Sequence, residues 1–301
     1  MMKIYDYIIA GLRLRSDIDL VATGIRGFQP FEVEADESIV ASCHLHIDNN
    51  FSEESISIER VLSEFDVTEA NAEGRFARTT SGYLYSTHSR LDNKPATLFH
   101  IDRTTHHIVT NIVCETSLDV SLLRFGIWMM FGVVLSENSA IAIHSSVIEK
   151  NGFGVLFLGE SGTGKSTHTR LWRENIEGAK LLNDDSPIVR VVDGKAMVYG
   201  SPWSGKTPCY KNLEYPIAGF CRLSQAPHNA IRRLHPLAAI GALLPSCPPA
   251  FAHDDYLQDH ICNTLSSLLT LSKAYHLECL PDKAAVELSF NTIIGNAEGT
   301  R

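Results

Sequence analysis

The sequence predicts an α/β (α+β) chain: a β-rich N-terminal domain over residues 1–116, then a domain of mixed sheet and helices over residues 117–301. Three observations carry that prediction. Short β-branched and aromatic runs, several of them alternating, dominate as far as Val113; a long run that is apolar on nearly every face follows; beyond residue 140, strand-like and helix-like patterns take turns. With 44% hydrophobic side chains in 301 residues, the chain has material for real cores.

The elements follow in order. YIIAGLRLR, IVASCHLHID, GRFARTTSGYLYSTH, ATLFHID and HIVTNIV read as strands of an antiparallel sheet, joined by polar or proline-containing stretches. Ser117 then offers an N-cap, with Asp119 in the first turn, for a helix running to Ser136. Its apolar segment LLRFGIWMMFGVVL falls short of the roughly 20 residues that span a bilayer and carries Arg124, so a buried core helix is expected. AIAIHSSVIE and GVLFLG flank Lys150-Asn151-Gly152 as a hairpin. LLNDD, PIVRVVD and AMVYG are further strands, the last two joined at Asp193-Gly194. Helical patterns return at HPLAAIGALL and DYLQDHICNTLSSLLTLSKA, before strand AYHLECL and helix DKAAVELSFNTII.

Composition narrows the function classes. A net charge of −9 without a block of lysines or arginines gives no electrostatic footprint for nucleic acid or an acidic membrane. The N-terminus MMKIYDYIIAGLRLRSD has only a brief apolar stretch, broken by Arg13 and Arg15, so no secretory leader is expected. Seven cysteines, with no C-x-x-C pair, read neither as a disulfide framework nor as a zinc site. A cytoplasmic location is the expectation.

GESGTGKS, Gly159 to Ser166, fulfils G-x-x-x-x-G-K-[ST] between an apolar strand and the helix-forming stretch STHTRLWREN. Glycines there let successive N–H groups turn inward on phosphate oxygens at the positive end of a helix. Gly159, Glu160, Ser161, Gly162, Thr163, Gly164, Lys165, Ser166 and Thr167 are thus the candidate nucleotide-binding residues. Lys165 would reach the β and γ phosphates, and the Ser166 hydroxyl would hold Mg²⁺. Downstream, strand LL delivers Asn183-Asp184-Asp185. A nucleotide site needs carboxylates to hold the metal or to take the proton of an attacking hydroxyl. Neighbouring side chains on a strand face opposite ways, so both aspartates reach one site only where the strand ends.

HSSVIEKNGFGVLFLGESGTGKST (144–167), with LLNDD (181–185), resembles the catalytic domain of HPr kinase/phosphorylase and its HprK-like relatives, which share a P-loop fold with phosphoenolpyruvate carboxykinase. GSPWSGK (200–206) is similar to a segment recurring in those proteins, and the resemblance extends over about residues 117 to 290. It implies a P-loop mixed-sheet kinase domain that uses ATP and Mg²⁺ to phosphorylate a hydroxyl, on a serine of a protein or on a small molecule. It implies Asp184 as the base, Asp185 at the metal with Ser166, and His144 lining the pocket to orient a carboxylate. A homo-oligomer is compatible with the family's assemblies. The E-[IV]-R-G-x-G-I-[IV]-N-V stretch of true HPr kinases is absent. Two other readings stay open: an ATP-binding regulatory module with little turnover, and a phosphoenolpyruvate carboxykinase-like enzyme.

Smaller features are weighed against ordinary roles. Trp203-Ser204-Gly205-Lys206-Thr207 would close over a transferred phosphate or form a surface turn. Arg222, Arg232 and Arg233 are candidates for stabilising γ-phosphoryl charge. His253-Asp254-Asp255 reads as a helix start and His106-His107 as strand, rather than as metal ligands.

Overall fold

The runs of the first half become strands in the computed structural model, which describes residues 3–91, 95–205 and 207–298. They are β1 (Tyr5–Ile9), β2 (Leu12–Ser16), β3 (Glu32–Val33), β4 (Cys43–Ile47), β5 (Ile58–Val67), β6 (Ala72–Thr79), β7 (Gly82–Ser89), β8 (Thr97–Asp102) and β9 (His107–Thr110), followed by helix α1 (Ser117–Glu137). Among the described residues they form a nine-stranded sheet in the order β3-β1-β2-β4-β9-β8-β7-β6-β5. YIIAGLRLR is two strands, because Ala10 and Gly11 take φ of 51° and 76°, the paired positive angles of a tight hairpin turn. The sheet is mixed rather than antiparallel: β2 with β4 and β4 with β9 are parallel pairs, each bridged by a long connection that returns the chain to the same end. Edge strand β5 escapes the sequence pattern because Leu62 is its one buried residue, leaving no apolar alternation to read.

Helix α1 starts on a reciprocal capping box. The Thr116 hydroxyl accepts from the Asp119 N–H (3.2 Å) and the Asp119 carboxylate accepts from the Thr116 N–H (2.8 Å), so Thr116 rather than Ser117 is the cap. By length and composition α1 suffices to cross a bilayer, but Ile127, Met130, Phe131, Val133 and Val134 are fully buried in protein. Gly126 seats it: a Cβ there would lie 2.4 Å from the Phe99 ring on β8. Each large side chain buried this way contributes about 1.5–3 kcal/mol.

Two compact units result, one of Met1–Glu137 with Ala250–Gln258, the other of Asn138–Pro249 with Asp259–Arg301. The division falls after α1, not at residue 116, because α1 packs on the N-terminal sheet. Asp254 belongs there as well. It is 1% exposed, accepts from the Tyr83 hydroxyl (2.8 Å), pairs with Arg78 (3.3 Å) and caps the following helix through the Leu257 N–H, so this acidic segment is a helix start.

The second unit holds β10 (Ala140–Ala142), β11 (Ser145–Lys150), β12 (Phe153–Leu158), α2 (Lys165–Asn175), β13 (Lys180–Asp185), β14 (Ile188–Val192), β15 (Lys195–Tyr199), β16 (Glu214–Gln225), β17 (Ala230–Arg233), α3 (Pro236–Leu243), most of α4 (Asp255–Leu271), β18 (Lys273–Cys279) and α5 (Lys283–Glu298). The strand order is β10-β14-β15-β16-β12-β11-β13, with β18 against β16 and β17 against β18. The hairpins at Asn151-Gly152 and Asp193-Gly194 form as expected, all four residues with positive φ. AIAIHSSVIE, by contrast, is two strands: β10 joins β14, β11 joins β12 and β13, and His144 sits at the break. Central β16, unread in the sequence because Pro216 and Gly219 interrupt it, runs parallel to both β12 and β18. Phe157, Trp172, Leu223, Leu277, Val286 and Ile293 fill the core under α2 and α5.

Candidate functional site

The site gathers where β12, β13 and β16 end. The Gly159–Gly164 loop leaves β12 and feeds α2, whose cap Gly164 provides no side chain to the first-turn N–H groups. Gly159, Gly162 and Gly164 take φ of 152°, 83° and 102°. A Cβ on Gly159 would stand 2.5 Å from the Thr163 hydroxyl, so only glycine turns the chain here. Nothing lies within 4 Å of where a Cβ of Gly162 or Gly164 would be, so the loop is open above these backbones. Uncapped donors, open space and glycine angles together fit a phosphate cradle. The Thr163 N–H and hydroxyl both donate to the Glu160 carbonyl (3.2 and 2.8 Å), closing the turn on itself.

Lys165 folds back over the loop, donating to the carbonyls of Gly159 (2.7 Å) and Glu160 (3.2 Å). Burial lowers its pKa and nearby Arg222 adds to that, while Asp185 and Asp184 oppose it. The Ser166 hydroxyl stands 3.4 Å from both carboxylate oxygens of Asp184, beyond the usual O–H···O distance of about 2.7–2.8 Å. That gap suits an interposed ligand.

The two aspartates split as the strand ends. β13 lies beside β11, not beside β12, with Asp184 opposite Ser146 and Asp185 opposite Ser145. Asp184 is 8% exposed and faces Ser166; the Asp185 side chain is 49% exposed and lies 3.7 Å from His144 Nε2. The resemblance pairs Ser166 with Asp185, whereas the geometry brings Ser166 to Asp184. Asp185 has φ of 132°, a backbone angle that costs a non-glycine residue about 1–3 kcal/mol. The turn after Trp203 holds it there: the Gly205 N–H (2.6 Å) and Ser204 hydroxyl (3.1 Å) donate to the Asp184 carbonyl, and Ser204 bridges to Asp185. Lys206 lies outside the described residues.

His144 is fixed through its backbone N–H, which donates to the Ser246 carbonyl (2.7 Å). Burial lowers its pKa and Lys165 lowers it further, against the pull of Asp185 and Asp184. Arg222 stands next to Leu158 in the sheet, donates to the Ala242 carbonyl (3.0 Å) and lies 3.6 Å from the exposed Glu160 carboxylate. Arg232 turns instead to His276 (3.2 Å), and with Arg233 sits on β17, beyond β16 and β18 from the loop strand. Gln225, which no sequence motif marks, ends β16 and ties the loop through a 3.2 Å bond to the Gly162 carbonyl. Among the described residues no three His, Cys, Asp or Glu side chains converge as a metal site, so a cation here would rely on Ser166, a carboxylate and the ligand's own oxygens.

No protein-family profile matches the chain, and a search of curated proteins finds no match. Among solved structures, the Hpr(Ser) kinase/phosphatase from Coxiella burnetii is similar over 52% of this chain and 90% of its own, at 12% identity and a TM-score of 0.32. A likeness that distant carries no argument about activity.

Proposed function

We propose that this protein is an ATP-dependent phosphotransferase whose acceptor is a hydroxyl, on a protein serine or a small molecule. The observation that supports it best is the meeting of an uncapped glycine loop, a lysine folded over that loop, and a buried and an exposed carboxylate at one end of the sheet.

The Gly162–Thr167 backbone binds the β and γ phosphates, and Lys165 exchanges its carbonyl partners for their oxygens. Ser166 and Asp184 are the pair to hold Mg²⁺, which when bound neutralises charge on the β and γ oxygens. Exposed Asp185 takes the proton of the attacking hydroxyl as the acceptor oxygen bonds to the γ phosphorus and the bond to the β-phosphate oxygen breaks. His144 orients that carboxylate from 3.7 Å. Arg222 is placed to give up Glu160 and face the transferring group.

Release of γ-phosphate from Mg·ATP tests this reading. Wild type turns ATP over slowly without its acceptor; Lys165→Ala and Asp185→Asn abolish turnover, and Asp184→Asn raises the Mg²⁺ concentration required. Tight ATP binding with no turnover, indifferent to Asp185→Asn, would instead make the protein a nucleotide-occupied switch.

A further inference from the structure

The residue just before the aspartate pair is a buried amide. Asn183 has no exposed surface, and burying such a group is unfavourable unless its donors and acceptor find partners. They do. Its Nδ2 donates to the Trp203 carbonyl (3.0 Å) and the Ser201 hydroxyl oxygen (3.3 Å), with the Ser201 and Cys209 carbonyls at 3.5 Å, and its Oδ1 accepts from the Ser186 N–H (3.1 Å). Carbonyls only accept and a backbone N–H only donates, so these surroundings fix which end of the amide is which.

The partners lie on two segments. Ser186 follows Asp185 directly, while Ser201, Trp203 and Cys209 flank the turn whose Gly205 N–H and Ser204 hydroxyl donate to the Asp184 carbonyl. Ser201 adds a second tie, its hydroxyl donating to the Ser186 carbonyl (2.5 Å), and the Cys209 N–H donates to Ser204 Oγ (3.2 Å). Asp185 is thus bracketed: Asn183 before it and Ser186 after it are bonded to each other and to the same turn. With both neighbours fixed, the chain cannot relax the 132° φ of Asp185 by rotating around it. The register of β13 against β11 also slips here. Asn183 pairs with Val147 but Leu181 with Ile148, so Leu182 is an extra residue that bends the strand end.

Resting on the phosphotransferase reading above, we infer that Asn183 is a positioning residue: through Ser186, Ser201 and Trp203 it holds the Asp185 backbone at the strained angle that aims its carboxylate at the acceptor hydroxyl. Being fully buried, it touches neither nucleotide nor acceptor.

The test crosses Asn183→Ala with Asp185→Gly in the full chain. Asn183→Ala is expected to lower kcat for γ-phosphate release from Mg·ATP about 10²-fold, the cost of a misplacement of about 1 Å, with the Kd for Mg·ATP within about twofold of wild type. In urea melts Asp185→Gly raises the midpoint of wild type but leaves that of Asn183→Ala where it was, because the released Asp185 has already relaxed. Ser201→Ala, which cuts the tie to the Ser186 carbonyl, shows the same pattern at smaller size and serves should Asn183→Ala not fold. Undiminished kcat in folded Asn183→Ala, a loss of ATP affinity as large as the loss of turnover, or an equal midpoint gain from Asp185→Gly in both backgrounds would overturn the assignment. Absence of turnover in wild type would sink the phosphotransferase reading and the catalytic half of this one, while an unequal midpoint gain would still support Asn183 as the clamp on Asp185.

Discussion

Both sheets carry charged groups, but the two sets are held differently. In the N-terminal unit three carboxylates are tightly partnered: Asp6 is fully buried between Arg13 (2.6 Å) and Arg15 (2.9 Å), Asp17 bridges His44 (2.7 Å) and His46 (2.5 Å), and Asp254 takes the Tyr83 hydroxyl (2.8 Å). At the end of the C-terminal sheet the corresponding distances are 3.4 Å for Ser166 to Asp184, 3.7 Å for His144 to Asp185 and 3.6 Å for Arg222 to Glu160. Closed clusters add stability and specify a single packing; open ones leave donors and acceptors for a ligand. The strained φ of Asp185 belongs to the open set as well.

The sharpest break between the sets is a substitution that should improve stability while removing function. Asp185→Gly relieves the 132° φ and is expected to add about 1 kcal/mol in urea melts, while cutting γ-phosphate release by about 10²–10⁴-fold. A destabilised variant with normal turnover would erase the contrast. In the closed set, Asp6→Ala leaves two half-buried guanidiniums without their anion, and a loss of about 3–5 kcal/mol is expected from the shift in urea midpoint.

Acid sharpens the same point. Burial alone would raise the Asp6 pKa, but the hydrogen bonds from Arg15 and Arg13 hold it down to about 2 from 3.8. A carboxylate lowered on folding stabilises above its unfolded value, and the gain is lost as pH falls through the folded one. Wild type should therefore lose about 2 kcal/mol between pH 5 and pH 2 that Asp6→Asn does not, in pH-resolved chemical melts. The smallest expected effect is Tyr83→Phe, which removes one donor from buried Asp254 and should cost about 2 kcal/mol with no change in Mg·ATP affinity.

The parts of this molecule that the sequence made legible are those set by local rules. The glycine loop, both Asn-Gly and Asp-Gly hairpins and α1 rest on residues adjacent in the chain, and each is found where its pattern lies. What stayed hidden depends on partners far away. Central β16 carries Pro216 against Met197 and hides its pairing with β12, and with it Gln225. The role of Ser204 shows only when the turn after Trp203 reaches the Asp184 carbonyl. The parallel pairs of β4 have no signature in alternation, because period-two patterning records which face is buried and not which way a neighbour runs.

Amide hydrogen exchange over residues 159–167, with and without Mg·ATP, tests the central claim most directly. Strong protection of the Gly162–Thr167 amides at saturating Mg·ATP, lost in Lys165→Ala, is the predicted result. Exchange in that segment unchanged by Mg·ATP at any concentration would contradict the account.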